Sequence, residues 1–167
     1  MSKKQRKIPS AAWWTIGLTV VVIGLIVFLG ARYSGPSKTN REVALSCTTD
    51  MATRFHIHPS LEIRINGEKQ VIPTNIGVDA NCMNALHTHG TSGEIHVESP
   101  QKRDFTLSDF FAVWGKTYSK DQILDSKADE KYIIRETVNG QEVGDYENTI
   151  LHDKDKIVIF YEERNKE

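Results

Sequence analysis

Alternation of apolar and polar side chains is the clearest pattern in this chain, and it is strongest over residues 55–65. Apolar side chains there occupy the odd-numbered positions and polar side chains the even-numbered ones. A period of two predicts a β-strand with one face in a core. Asn66-Gly67 follows directly, and this dipeptide predicts a two-residue hairpin turn because both of its positions favour positive φ. A return strand is expected over 69–72, ending at Pro73.

The C-terminal part of the chain repeats this arrangement. A strand is predicted over 131–138, again followed by Asn139-Gly140, with a return over 141–143. The apolar run 157–162 predicts the last strand. This order of strand, tight turn, strand and final apolar strand resembles the second half of a β-grasp-type sheet.

Helix signals occur in the middle of the chain. Thr106 offers an N-cap side chain, and Asp109 three residues later completes a capping-box pattern. Gly115 is a natural end for this helix. A shorter helix is predicted over 119–125, where a Ser is followed three residues later by a Gln. The apolar stripe of the first helix consists of Leu107, Phe110, Phe111 and Trp114.

The N-terminal part of the chain differs from the rest. Residues 11–31 contain no charged side chain, and as a helix they would span about 31 Å, close to the ~30 Å hydrocarbon thickness of a bilayer. Trp13, Trp14 and Tyr33 lie near its ends, as interfacial aromatic residues do. The basic tail 1–10 predicts a cytoplasmic N-terminus. A cleaved signal peptide is the alternative, but its apolar region is usually about 7–15 residues long, and no A-x-A-like cleavage site follows here.

These patterns divide the chain into a cytoplasmic basic tail (1–10), a transmembrane helix (11–31), a linker (32–42) and an extracytoplasmic domain (43–167). The domain is expected to be α+β and mainly β, with antiparallel hairpins and one or two short helices. Only 5 of the 21 basic residues and none of the 22 acidic residues precede Ser34, so the rest of the chain has a net charge of about −6. This charge argues against a nucleic-acid partner. The predicted partner is the lipid bilayer, and the predicted location is the cell membrane, crossed once.

Cys47 and Cys82 are the only cysteines in the chain. An even number of cysteines outside the cytoplasm favours a disulfide. This bond would join the segment before the first histidine pair to the segment before the second. The alternative is that one or both thiolates bind a metal ion.

Histidine is concentrated over residues 56–96, which contain five of the six histidines. Two pairs have the form His-x-His, and a third histidine-containing segment, 94–98, again alternates polar with apolar residues. Residues i and i+2 of a strand share a face, so each pair would present two imidazoles side by side. Imidazole is the commonest protein ligand for metals such as copper and zinc. The alternatives are surface histidines or a buried hydrogen-bonded cluster. The candidate metal ligands are His56, His58, His87, His89 and His96.

We expect the two pairs to converge on one ion, with His96 as a fifth candidate ligand. A nitrogen-rich, sulfur-poor set suits Cu(II) or Zn(II) better than magnesium or calcium. Four imidazoles would complete a tetrahedral zinc site or a tetragonal copper site. A closed set favours structure or storage, whereas three histidines with a bound water favour catalysis.

Residues from about 47 to 115 also contain a series of short sequence elements. These elements are HxHxxL, NG, C, LHTH and GxIHVExP. The stretch resembles a family of small, membrane-anchored extracytoplasmic proteins of archaea and bacteria that has no established activity. The resemblance implies that these residues form one unit. His87-x-His89 followed by Glu94 also matches the first motif of the cupins, although its flanking glycines and the second cupin motif are absent.

Two classes of function remain open. The first is a non-catalytic copper- or zinc-binding protein, acting in metal handling or as an accessory subunit of a larger membrane complex such as a copper-dependent oxidase or monooxygenase. The second is a cupin-like metalloenzyme, an oxygenase or a hydrolase. No HExxH motif, phosphate-binding loop or Ser-His-Asp order is present, and binding needs only the ligands, so the first class is favoured.

Overall fold

A computed structural model gives the fold of residues 10–33, 38–49 and 53–164. The chain forms two compact units, 1–37 and 38–167, and each is described by itself. All six histidines and both cysteines belong to the second unit. The candidate chemistry of the protein is therefore contained in one folded unit.

The first unit contains one helix, α1, over Ser10–Tyr33. Its side chains are described for residues 17–29, where the large apolar ones are exposed. Over the described residues, no helix combines the length and the apolar character that crossing a bilayer requires. The transmembrane span over 11–31 and the membrane location stay predictions. The predicted basic tail up to residue 9 and linker residues 34–37 lie outside the described residues.

The second unit begins with a short helix, α2 (Asn40–Ala44), which starts within the predicted linker 32–42 and ends two residues beyond it. The Thr39 hydroxyl accepts a hydrogen bond from the Glu42 N–H, and the Glu42 carboxylate accepts one from the Thr39 N–H, so a complete capping box starts this helix. The other elements follow in chain order: β1 (Phe55–Ile57), β2 (Ser60–Ile65), β3 (Glu68–Lys69), β4 (Leu86–His87), β5 (His96–Ser99), α3 (Leu107–Trp114), β6 (Tyr118–Ser119), β7 (Gln122–Ile123), β8 (Ser126–Lys127), β9 (Tyr132–Val138), β10 (Gln141–Val143), a 3-10 turn (Tyr146–Asn148) and β11 (Lys156–Glu163).

A five-stranded sheet forms the frame of this unit. Its strand order is β10-β9-β11-β2-β3, with β11 parallel to β2 and the other neighbours antiparallel. The parallel pair extends from Ser60 opposite Lys156 to Ile65 opposite Tyr161. A strand from the N-terminal half and the last strand therefore lie side by side in the middle of the sheet. The resemblance of the sequence pattern to a β-grasp-type sheet stays a prediction.

Both predicted Asn-Gly turns are confirmed. Asn66 and Gly67 have φ angles of 51° and 85°, and β3 pairs back onto β2. Asn139 and Gly140 have φ angles of 54° and 80°, and β10 pairs back onto β9. Positive φ at both central positions gives a turn whose twist matches that of the flanking strands. The return strand predicted over 69–72 is shorter than expected, since β3 covers only two residues.

A second sheet, with antiparallel order β1-β5-β4, carries the candidate site. The strand predicted over 55–65 is divided at Pro59, whose nitrogen has no hydrogen to continue a ladder. The part before it, β1, belongs to this second sheet, and the part after it, β2, belongs to the five-stranded sheet. The Pro59 carbonyl accepts the Ile95 N–H at 2.9 Å, and the Leu61 N–H donates to the Gly93 carbonyl at 2.8 Å. The entry to β5 is thus held against the point where the chain changes sheets.

One predicted helix is confirmed and the other is wrong. In α3, the Asp109 carboxylate accepts the Thr106 N–H at 3.1 Å, and Gly115 ends the helix with a φ of 69°. The helix predicted over 119–125 is instead part of a three-stranded meander, β6-β7-β8. Ile123 is the only fully buried side chain in that stretch, so it offers no apolar stripe for a helix to pack.

One hydrophobic core joins the two sheets and α3. Leu86 on β4 and Val97 on β5 are direct partners, and both are completely buried. The neighbouring pair, His87 and His96, lies on the other face of the sheet because successive strand residues alternate. The predicted class, a small and mainly β domain with antiparallel hairpins and a few short helices, is confirmed for this unit. Other fully buried core residues are Leu61, Ile63, Ile95, Leu107, Phe110, Phe111, Ile157 and Ile159.

Candidate metal centre

Strand register places His56, His87 and His96 on one face of the second sheet. β5 is the middle strand, and its His96 lies directly opposite His87 of β4. His56 lies on β1, on the other side of β5. His58 and His89 lie just beyond the ends of β1 and β4, and their rings contact those of His56 and His87. For His56 and His87, the register agrees with the prediction that the two pairs point to one side of a sheet.

His96 lies between the two pairs. The ring centroids of His56 and His58 are 4.3 Å apart, and those of His87 and His89 are 4.8 Å apart. The ring of His96 contacts all four, with centroid distances between 4.7 and 5.8 Å. Among the described residues, no ring contact joins one pair directly to the other. The cluster is therefore continuous only through His96.

The potential ligand atoms form two groups of three that share one histidine. One atom from each of His56, His58 and His96, the β1 triad, lies within 4.8 Å of the other two. His87, His89 and His96 form the β4 triad in the same way. Within the described part of the chain, the four predicted ligands do not together form a group whose ligand atoms all lie within 4.8 Å of one another. These four residues are His56, His58, His87 and His89. β1 and β4 flank β5, which separates them by about 10 Å at a strand spacing of ~4.8 Å. His96, expected only as a fifth ligand, is the residue common to both groups.

His87 is the most deeply buried member of the cluster, with no exposed surface. Its Nδ1–H donates to the Asn84 carbonyl at 3.0 Å, since a carbonyl can only accept. The lone pair of neutral His87 is then on Nε2, which is buried and lacks a hydrogen-bond partner in the described structure. Burial lowers the pKa of His87, which keeps the ring neutral. A backbone carbonyl that holds one ring nitrogen while the other is free is the usual outer support of a metal-binding histidine.

Two carboxylates lie close to the cluster, that of Glu94 just before β5 and that of Glu98 on β5. His56 Nε2 lies 3.0 Å from Glu98 Oε1, and His96 Nε2 lies 3.3 Å from Glu94 Oε1. The Glu98 side chain is largely buried, whereas the Glu94 side chain is about half exposed. Burial lowers the pKa of His96, and repulsion by His58 lowers it further. In His87 and His96 the lowered pKa favours the neutral imidazole, the form that binds metals, and carboxylates lie close to the cluster.

Cys47 and Cys82 form a disulfide, as predicted. Their Cα atoms are 5.4 Å apart, within the usual range for this bond. The two sulfur atoms also lie near the carboxylate of Asp79. Because both are used in the disulfide, neither is a thiolate, and the alternative that these cysteines bind a metal as thiolates is excluded. The bond joins the segment leading to β1 with the segment leading to β4.

Two residues that support the site were not identified from the sequence. Asn84 contributes only its backbone carbonyl, which any residue type provides. The Asp153 carboxylate accepts the backbone N–H of His58 at 3.0 Å, across 95 residues of chain. Proximity over such a distance leaves no local pattern. The sixth histidine, His152, lies outside the cluster beside Asp155, with a side chain that is 69% exposed.

Comparison of the chain with models of known protein families, with curated proteins and with solved structures finds no match. The resemblance of residues 47–115 to a family of membrane-anchored extracytoplasmic proteins therefore stays a prediction. The function has to be argued from the histidine cluster itself.

Proposed function

We propose that this protein binds copper or zinc at the histidine cluster, in a domain held at the outer face of a membrane by residues 11–31, and that it does not itself catalyse a reaction. The observation that carries the proposal is the buried Nε2 of His87, whose lone pair faces no hydrogen-bond donor in the described structure. Leaving such a group unsatisfied costs about 1–3 kcal/mol. A coordinated ion would use that lone pair and offset the cost.

The spacing of the potential ligand atoms supports the same proposal. Two nitrogens bound to one ion at 2.0–2.1 Å are at most about 4.2 Å apart. The atoms of each triad lie within 4.8 Å of one another, so side-chain shifts of roughly half an ångström would complete either set. Sets rich in imidazole nitrogen, with carboxylates close by, suit Zn(II) or Cu(II).

The state of the nearby carboxylates favours binding over catalysis. Glu62, Glu94 and Glu98 are the carboxylates of this region that could act as an acid or base. Glu62 is paired with Arg64 and Lys69, and the hydrogen bond from Lys69 lowers its pKa. Glu98 is paired with His56, whose Nε2 lies 3.0 Å from Glu98 Oε1. A protein of this kind would handle metal on its own, or would serve as an accessory subunit of a larger membrane complex such as a copper-dependent oxidase or monooxygenase.

Metal titration of the full-length protein tests the proposal. The protein is purified in detergent, stripped with a chelator, and titrated with Cu(II) and separately with Zn(II), and bound metal is measured after gel filtration. The double variant His58→Ala/His89→Ala removes one ligand from each triad, and we expect its affinity to fall by at least ~100-fold. The matched control is His152→Ala, which removes a histidine outside the cluster and should bind like wild type. Wild-type protein that retains neither metal would refute the proposal.

The second candidate, a metalloenzyme, has one observation in its favour. A cavity of about 270 Å³ borders Glu98, and Lys38 and Arg103 also line it. Glu98 contacts His56, so a small anionic substrate in this cavity would lie beside the cluster. Spectroscopy of the cobalt- or copper-loaded protein separates the two classes. An exchangeable water on the metal favours the enzyme, and its absence favours binding alone.

A further inference from the structure

We infer that the cluster binds two metal ions rather than one, with His96 as a ligand common to both. This inference rests on the proposed metal-binding function and extends it. Each His-x-His pair forms its own triad with His96, and His96 is the one residue that the two triads have in common. The two ions would lie on either side of β5, roughly 5–6 Å apart, as one strand spacing and a shared imidazole together require.

A single ion would satisfy only one of the two pairs. An ion in the β1 triad lies on the side of β5 away from β4, so His87 and His89 could not complete its coordination. The buried Nε2 of His87 would then remain without a partner. An ion in the β4 triad would satisfy His87. His56 and His58 would then have no ion, although their rings are adjacent and their nitrogens are spaced like those of a ligand pair.

The chemistry of His96 allows the sharing. An imidazole has two ring nitrogens on different edges, and each can bind a metal once the N–H proton has passed to solvent. Nε2 of His96 lies 3.3 Å from Glu94 Oε1. Two ligands bound to one ion at 2.0–2.1 Å in tetrahedral geometry are about 3.4 Å apart, so Glu94 is placed to share an ion with Nε2 of His96.

Carboxylates beside His96 favour two cations in a small space. Glu94, just before β5, lies 3.3 Å from His96, and Glu98 on β5 lies opposite His56. Two divalent ions about 5–6 Å apart repel each other strongly. One carboxylate on each side of His96 along the chain reduces this repulsion, and neither carboxylate is needed to complete a triad of histidines.

Copper stoichiometry combined with electron paramagnetic resonance tests the inference on the full-length protein. Chelator-treated protein in detergent is titrated with Cu(II), and bound copper is compared with the integrated signal. We expect two equivalents of copper and a signal well below two spins, because two Cu(II) ions that share an imidazole couple magnetically. His56→Ala/His58→Ala should bind one equivalent with a full one-spin signal, since it removes only the β1 triad.

The shared ligand is tested by His96→Ala and His96→Gln, the second of which keeps a polar side chain if the first disturbs folding. Both should lose the magnetic coupling, and His152→Ala should retain it. Two equivalents with a full two-spin signal in wild type would overturn the sharing. One equivalent in wild type would overturn the second ion and leave the proposed function intact. No bound copper or zinc would overturn both.

Discussion

Loss of the Cys47–Cys82 bond is expected to lower the unfolding free energy of the second unit by about 3–4 kcal/mol. The bond closes a loop with a sequence separation of 35 residues, and breaking it restores that much freedom to the unfolded chain. Cys47 is exposed and Cys82 only partly buried, so replacement by Ser removes little packing and isolates the effect of the crosslink. For a unit of this size, the loss corresponds to roughly 10–20 °C in Tm.

Urea titration of the full-length protein in detergent measures this change. Trp114 packs against Phe110 and Phe111, so its fluorescence reports the core once Trp13 and Trp14 have been replaced by Phe. Four forms are compared in that background, each with and without reductant: wild type, the two single Cys→Ser variants and the double variant. All of the experiments are done without added metal, because an ion would itself stabilise the folded state.

The single variants provide the matched control. If the stabilisation belongs to the bond, each single variant should be as unstable as the double variant, and only wild type should respond to reductant. A wild-type protein that loses less than about 1 kcal/mol on reduction would refute the entropic reasoning. So would a double variant that is clearly less stable than reduced wild type, since side-chain contacts would then account for the difference.

Three further predictions concern topology, packing and pH. A Cys introduced at Ser37 should react with a membrane-impermeant reagent on intact cells, and labelling only after lysis would contradict the predicted orientation. Gly93→Ala should lower the unfolding free energy, measured by urea titration, by about 1–3 kcal/mol, because Gly93 has a φ of 89° and an added Cβ would overlap the Leu61 carbonyl oxygen. A variant as stable as wild type would contradict this close approach of the two backbones. Burial raises the pKa of Glu136 above its ordinary value of 4.5, although the hydrogen bond from Tyr118 opposes this, so folded Glu136 holds its proton more tightly than the unfolded chain does. The unfolding free energy should therefore fall as pH rises above about 4.5 through the native pKa, and Glu136→Gln should flatten that part of the curve measured by urea titration at several pH values.

Much of the fold follows from local signals. The two-residue alternation predicts the core face of β2, and the positive φ that Asn66-Gly67 tolerates predicts the turn after it. The capping box at Thr106 starts α3 where expected. The error over 119–125 has a physical cause, because a capping-like spacing does not make a helix when no apolar stripe is available to bury.

The arrangement of the site is less accessible to sequence reasoning. Alternation shows that both His-x-His pairs share a face within their own strands, but it does not show which strand lies between them. His96 occupies the centre because β5 is the middle strand, a matter of pairing between distant segments. The change of sheets at Pro59 and the hydrogen bond from His58 to Asp153 are non-local in the same way. The histidines of the cluster could therefore be identified from the sequence, whereas their grouping could not.

The parallel pairing of β11 with β2 places the last strand beside one that is synthesised much earlier. All five clustered histidines and both cysteines leave the ribosome well before Lys156, where the pairing with Ser60 begins. Asp153, which holds the backbone of His58, also comes late. Long-range pairings of this kind form slowly, after the chain is nearly complete. A truncated chain that ends before Lys156 would carry every candidate ligand without β11, so under the proposed function it should bind metal more weakly than the full chain.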